Sequence, residues 1–186
     1  MPPLDFLNQR RSVPAPKLTA PGPDRQQLEQ ILNAAMRVPD HGRLEPFRIL
    51  AIEGPQRDML GAFLAQRALE LDPQAPPAQL EKDRTRFSHA PLVLAVIACP
   101  QPNPKVPEIE QLMTTGCVCF ALLQAAQAMG FGAQWLTGWA ARDAAVKARL
   151  GVAESESIAG FIHIGQPDGA TAERACEGGW ADAKAT

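Results

Sequence analysis

Residues 108–130 run EIEQLMTTGCVCFALLQAAQAMG. From Leu112 onward this segment is apolar nearly all round, through Met113, Val118, Phe120, Leu122, Leu123, Ala125, Ala126 and Met129. A helix hydrophobic on every side belongs either in a membrane or at the centre of a protein. A membrane span needs about 20 predominantly apolar residues, and Gln111, Thr114, Thr115, Gln124 and Gln127 interrupt this one. The segment therefore reads as a long buried central helix, ended by Gly130 as a C-terminal glycine should end it.

Working outward, Phe131–Thr137 reads as a short strand, Ala140–Leu150 as a helix and Ile158–Ile164 as a final core strand. Upstream, Pro91–Ala98, with its run Leu92-Val93-Leu94-Ala95-Val96-Ile97-Ala98, has no alternation, the pattern of a strand buried on both faces. Phe47–Glu53 is a further strand, ended by Gly54-Pro55, and helices follow over 56–71 and 78–87. Asp24 caps a helix through Arg37, with Leu28, Ile31, Leu32, Ala35 and Met36 on one face. Residues 3–10 form a short amphipathic helix, and the proline-broken stretch 13–23 reads as a connector without an element. Strands and helices in this mixture give an α+β chain, and 186 residues fit one domain. Beyond 165 the chain is rich in glycine and alanine with only Trp180 to bury, so the tail 166–186 is expected to be extended, frayed or laid across a partner.

The totals exclude several classes of function. A net charge of −2 gives no electrostatic footprint for nucleic acid or an anionic membrane. The start, Met1–Arg11, has no apolar h-region or small-residue cleavage site. Cys99, Cys117, Cys119 and Cys176 read as free thiols of a reducing cytoplasm. No metal is expected, because the three histidines have no metal-ligand spacing and Cys117 and Cys119 point to different sides of a helix. There is no Gly-x-Ser-x-Gly elbow, no Gly-x-Gly-x-x-Gly turn and no phosphate loop.

Three constellations remain. Arg10-Arg11-Ser12 ends the first helix. Two guanidiniums and a hydroxyl can hold a phosphate, although a solvated basic helix end accounts for the same residues. Arg37-Val38-Pro39-Asp40-His41-Gly42 leaves the second helix and presents Arg37 and His41 on a loop, as binding residues or as a dipole partner and a surface histidine. In Gly130-Phe131-Gly132-Ala133-Gln134-Trp135-Leu136-Thr137-Gly138, the glycines admit close approach to a ligand, and Trp135 and Thr137 offer an apolar face and a hydroxyl. A core strand with tight turns is the alternative for this last run.

In their order and spacing these pieces resemble the FMN-dependent nitroreductase family. The chain is most similar to its small, minimal bacterial members, the NAD(P)H nitroreductases. The resemblance rests on Arg10-Arg11-Ser12, Met36-Arg37-Val38-Pro39-Asp40-His41, Pro46-Phe47, Lys105-Val106-Pro107, Gly130-Phe131-Gly132-Ala133-Gln134-Trp135 and Gly160-Phe161-Ile162-His163-Ile164-Gly165, across roughly residues 4–167. It implies a nitroreductase-like fold, with a mixed, mainly antiparallel sheet flanked by helices and the central helix at a homodimer interface. It also implies FMN between the subunits. Arg10, Arg11 and Ser12 would hold it from one chain, Arg37 and His41 would reach it from the other, and Trp135, Leu136 and Thr137 would line its strand. The implied activity is oxidoreductase chemistry, with NAD(P)H as donor and a nitroaromatic, quinone or similar electrophile as the small-molecule acceptor, in a ping-pong cycle. No side chain is needed as a catalytic group, since the flavin carries the chemistry. Several positions depart from the family pattern, among them Leu44-Glu45-Pro46, where most members have Asn-x-Gln-Pro, and Leu136, where the nearest have arginine. These departures favour an alternative, a flavin-fold binding or assembly protein without turnover. A sibling flavoenzyme with dehydrogenase or fragmentation chemistry is a third reading.

Overall fold

A computed structural model describes residues 3–169 and Thr171. The order is α1 (Pro3–Gln9), β1 (Leu18–Thr19), α2 (Arg25–Ala35), β2 (Phe47–Glu53), α3 (Pro55–Leu71), α4 (Pro77–Arg84), β3 (Leu92–Ala98), α5 (Glu108–Ala128), β4 (Gly132–Leu136), α6 (Ala144–Arg149) and β5 (Ser157–Pro167). Short 3₁₀ turns lie at Ala15–Lys17, His41–Arg43 and Trp139–Ala141. The sheet runs β1-β5-β3-β2, with β4 also on β5, and every ladder among the described residues is antiparallel.

β3 shows why the sheet is central. All seven of its residues are buried. Leu92, Leu94 and Val96 face the layer of α2 and α5. Val93, Ala95 and Ile97 face the layer of α3, α6 and the 139–141 turn. An unalternating apolar run is what a strand between two helical layers requires. α2 begins with a full capping box, Asp24 accepting from the Gln27 amide while the Gln27 side chain accepts from the Asp24 amide.

Three expectations change. The 13–23 connector holds a short strand, because Leu18 and Thr19 pair with Pro167 and Gln166. The helix expected over 140–150 is split by the 139–141 turn, and Asp143 caps α6 by accepting from the Ala145 and Val146 amides. α5 is buried along one side only. Val118, Cys119, Leu122, Leu123 and Ala126 enter the core, whereas Ile109, Met113 and Phe120 are bare, at 59%, 57% and 44% exposure. Of the polar residues that interrupt its apolar run, Gln111, Thr114 and Thr115 are buried, whereas Gln124 lies along the bare side with Met113 and Phe120. The tail expected to cross to a partner falls mainly on 172–186, outside the described residues.

Candidate functional site

The three constellations gather around α5 and the strand that follows it. Arg10, Arg11 and Ser12 leave α1 and are fastened to the end of α5 and to β4. Gln127 Nε2 donates to the Arg11 carbonyl, the Val13 amide to the Ala133 carbonyl at 3.0 Å, and the Ala15 amide to Gln134 Oε1 at 2.6 Å. Arg11 Nη1 donates to the carbonyls of Asn8 and Arg10 at 2.8 and 2.9 Å. The Arg10 guanidinium lies over the Phe120 ring, 5.8 Å from its centroid. Arg10, Arg11, Gln127, Gly130, Phe131 and Gly132 line a cavity of about 440 Å³. Gly130 turns at φ 86°, and a side chain there would meet nothing within 4 Å, so backbone opens directly onto the space.

The second constellation is held by the first half of α5. Thr114 donates to the Pro39 carbonyl at 3.2 Å and Thr115 to the Pro46 carbonyl at 3.1 Å. These two bonds pin both ends of the loop that carries His41. Within the loop, Gly42, Arg43 and Glu45 all take the left-handed backbone region, at φ 75°, 54° and 46°. The Glu45 amide donates to Asp40 Oδ2 at 2.8 Å, which holds that turn. His41 Nδ1 sits 2.6 Å from Glu110 Oε2. Arg37 borders a groove of about 580 Å³ along the bare side of α5, with Met113, Phe120 and Gln124. Glu45, the departure from the family pattern, lines a different groove beside β2, with Asp40, Arg43 and Arg48.

Trp135 is 36% exposed on β4, and Thr137 is exposed just beyond the strand. Leu136 pairs with Phe161 and Trp135 with Ile162, so alternation puts their side chains on opposite faces of the sheet. Leu136 can therefore serve the Trp135 face only through its backbone.

Three residues that the sequence reading did not single out now join the site: Glu110 on His41, Phe120 under Arg10, and Gln127 on Arg11. A signal was present. Glu110, Met113, Cys117, Phe120, Gln124 and Gln127 follow one another at alternating steps of three and four, the seam of a helix that packs on another helix. The all-round apolar character of 112–129 hid it.

Elsewhere, titratable groups are turned inward. His163 is fully buried, has no hydrogen-bond partner at either nitrogen, and stacks on Phe87. Burial, with Arg86 and His89 nearby, pushes it down to about 4. Glu156 is held at about 2 by the Arg48 guanidinium and the Ala153 amide, with Cys99 also bonding it. Burial and that carboxylate push the Cys99 thiol up to about 11. These groups brace the fold.

A model of the nitroreductase family matches residues 7–166, which span every element described after α1, but for the last residue of β5, and all three constellations. The chain belongs to the nitroreductase family. It is 37% identical over 164 residues to "Putative NAD(P)H nitroreductase YdjA" of Escherichia coli K12, covering 88% of this chain and 87% of that one. To "Putative NAD(P)H nitroreductase" of Haemophilus influenzae it is 36% identical over 163 residues, covering 87% and 86%. Among solved structures, the nitroreductase-like protein of Bacillus cereus superposes with a TM-score of 0.79 at 21% identity, over 94% of this chain and 90% of that one. A Bacteroides fragilis nitroreductase crystallised with bound FMN gives 0.71 at 21% identity, over 96% of each. The nitroreductase-like α+β fold expected from the motifs is the fold observed.

Proposed function

We propose that this nitroreductase is an FMN-dependent NAD(P)H oxidoreductase, acting as a cytoplasmic homodimer with flavin at the seam between two copies. The carrying observation is the bare side of α5. Its seam from Glu110 to Gln127 is apolar at the middle and flanked by His41 at one end and Arg11 at the other. Those ends are about 25 Å apart at 1.5 Å per residue, too far for one chain to bring both to the same headgroup. A two-fold pairing of the seams covers Met113 and Phe120 and brings one copy's His41 end towards the other's Arg11 end.

The residues fit the cofactor. Arg10, Arg11 and Ser12 beside the cavity at Gly130 supply positive charge and donors for a phosphate. Arg10 Nη1 and Ser12 Oγ, 3.5 Å apart, can converge on one anion. Arg37 and His41 of the second copy supply further charge and hydrogen bonds, with Arg37 favouring the reduced, anionic state. Trp135, Thr137 and the backbone of Leu136 form a wall. FMN, when bound, supplies the chemistry: hydride from NAD(P)H, then hydride on to a nitroaromatic, quinone or similar electrophile, in a ping-pong cycle.

The test is direct. Purified protein is expected to be yellow with one FMN per chain, to sediment as a dimer, and to bleach anaerobically with NADH or NADPH until a nitro or quinone acceptor is added. A monomer that takes up no FMN ends this reading. Arg11→Ala should weaken FMN binding while the dimer persists; unchanged affinity removes this arginine from the phosphate role.

A further inference from the structure

Trp135 is the one large aromatic that β4 presents on its open side among the described residues, and β5 is shaped behind it. The β3–β5 ladder slips at this point. Val96 faces Gly160 and Ile97 faces Ile158, so Ala159 stands unopposed as the extra residue of a bulge. Bulges interrupt the ladder and re-aim what lies beside them. The Ala159 carbonyl is taken up by the Trp135 indole, Nε1 donating to it at 3.2 Å. The next residue, Gly160, is buried directly under the ring. A methyl group there would overlap indole Nε1 and Cδ1, and would lie only 3.2 Å from the Leu136 carbonyl oxygen. Every larger residue at 160 therefore lifts the indole off the strand.

We propose that the bulge at Ala159 and the bare backbone of Gly160 form a seat that fixes the Trp135 indole as a preset wall for a planar aromatic ring system, which makes Gly160 a positioning residue for flavin binding. The proposal rests on the reading that β4 lines the FMN site. Its physical content is preorganisation. A tryptophan free on an open strand has two torsions to order when a ligand arrives, and that ordering subtracts from affinity. Here the hydrogen bond and the close contact order it from within the chain itself.

The experiment is a double-mutant cycle read by titrating FMN into apoprotein and following flavin fluorescence, with far-UV circular dichroism on each variant. Gly160→Ala is expected to raise the FMN Kd about tenfold, the size of one coupled contact, and Trp135→Ala by a similar factor. The double variant should bind no worse than Trp135→Ala, because the seat acts only through the indole. If Gly160→Ala fails to fold, the double variant removes the clash and carries the test. Trp135→Phe keeps a ring without the N–H, and a smaller Kd increase is expected. Wild-type affinity in Trp135→Phe removes the Ala159 arm. Wild-type affinity in Gly160→Ala, or a further tenfold loss when Gly160→Ala is added to Trp135→Ala, overturns the seat. If Trp135→Ala itself binds FMN normally, the assignment of β4 to the flavin falls as well, whereas Arg11→Ala reports separately on the phosphate end.

Discussion

The two helical layers on this sheet are built to different ends. On the α3 side the inner surface closes, although Met59, Leu69 and Leu71 of α3 are exposed. Ile52, Leu60, Leu64, Phe87 and Phe161 pack against Val93, Ala95 and Ile97, and the buried carboxylate there is met inside the chain, whereas both His163 nitrogens and Arg86 Nε have no hydrogen-bond partner among the described residues. Asp83, fully buried, accepts from Arg86 Nη2 at 3.0 Å, Gln79 Nε2 at 2.9 Å and Trp139 Nε1 at 3.0 Å. On the α5 side the inner surface is just as dry, but the outer surface of the helix leaves Met113 and Phe120 in water. Its buried polar residues, Gln111, Thr114 and Thr115, hold loops in place. One layer spends its polar groups on stability. The other uses them to hold the loops at Pro39, Pro46 and Gln101, which in the proposed function present groups to a second copy and the flavin. Mutations should therefore separate: on the α3 side they should move stability and leave ligand affinity per folded molecule alone, and on the α5 side the reverse.

The largest effect is expected at Asp83. Removing one partner of a buried ion pair leaves charge uncompensated and costs about 3–5 kcal/mol. Asp83→Ala would strand the Arg86 guanidinium and the Trp139 N–H together. Urea unfolding should show that loss, with FMN affinity of the folded fraction unchanged. A change in affinity at full folding would break the contrast between the layers.

His163 offers the next largest effect and a pH signature. Its folded value, about 4, lies below the ordinary 6.5. The unfolded chain therefore takes up a proton first as pH falls. Stability is full above about 6.5, declines through the window down to about 4, and loses about 3 kcal/mol by its lower end. Arg86 and His89 add to this by repelling the imidazolium. Glu156 acts lower, since its depressed value makes its contribution disappear only between 4.5 and about 2. Denaturant midpoints measured from pH 7 to 4 should fall in the parent and stay nearly level in His163→Leu over that range. Parallel curves would mean that His163 is not the group that titrates.

How far this contrast could be read from the chain itself depends on the layer. β2 was legible to the residue and β3 to within one, because an apolar run between breakers has one reading once two helical layers are available. Arg10-Arg11-Ser12 and the 37–42 turn were legible as motifs. The position of Gln111, Thr114 and Thr115 was not. Polar residues on an apolar helix suggest a wet side, and only the tertiary fold supplies the carbonyls of Pro39 and Pro46 that make burial favourable. The two-residue β1 was equally hidden, since its reason for being a strand is β5, about 150 residues away in sequence. Gly160 was visible as a letter, but its meaning needs the indole above it.

Phe120 tests the outer surface of α5. Replacing a central aromatic anchor by a charge costs about 2 kcal/mol or more of association, roughly 30-fold in the dimer constant. An exposed position costs the isolated chain little. If the proposed dimer forms through this face, Phe120→Asp should sediment as a folded monomer at concentrations where the parent sediments as a dimer, and it should lose FMN with the dimer. A variant that stays dimeric removes this helix face from the interface.

Thr115 gives the smallest effect and the sharpest comparison. Its hydroxyl is buried and joins the Gln111 and Pro46 carbonyls, each at 3.1 Å. The Pro46 carbonyl also accepts from the Cys99 amide at 2.8 Å, so Thr115→Val does not orphan it. The stability cost should be only about 1 kcal/mol, a fall in Tm of about 2–4 °C for a chain of this size. What the variant releases is the downstream end of the loop that carries His41. If the α5 layer exists to position that loop, FMN affinity should fall by more than the loss of stability suggests. Thr19→Val, at an exposed hydroxyl on the far edge of the sheet, should leave affinity unchanged. Equal affinities in the two variants would reduce the threonines of α5 to ordinary core satisfaction, and the two layers would then differ only in what covers them.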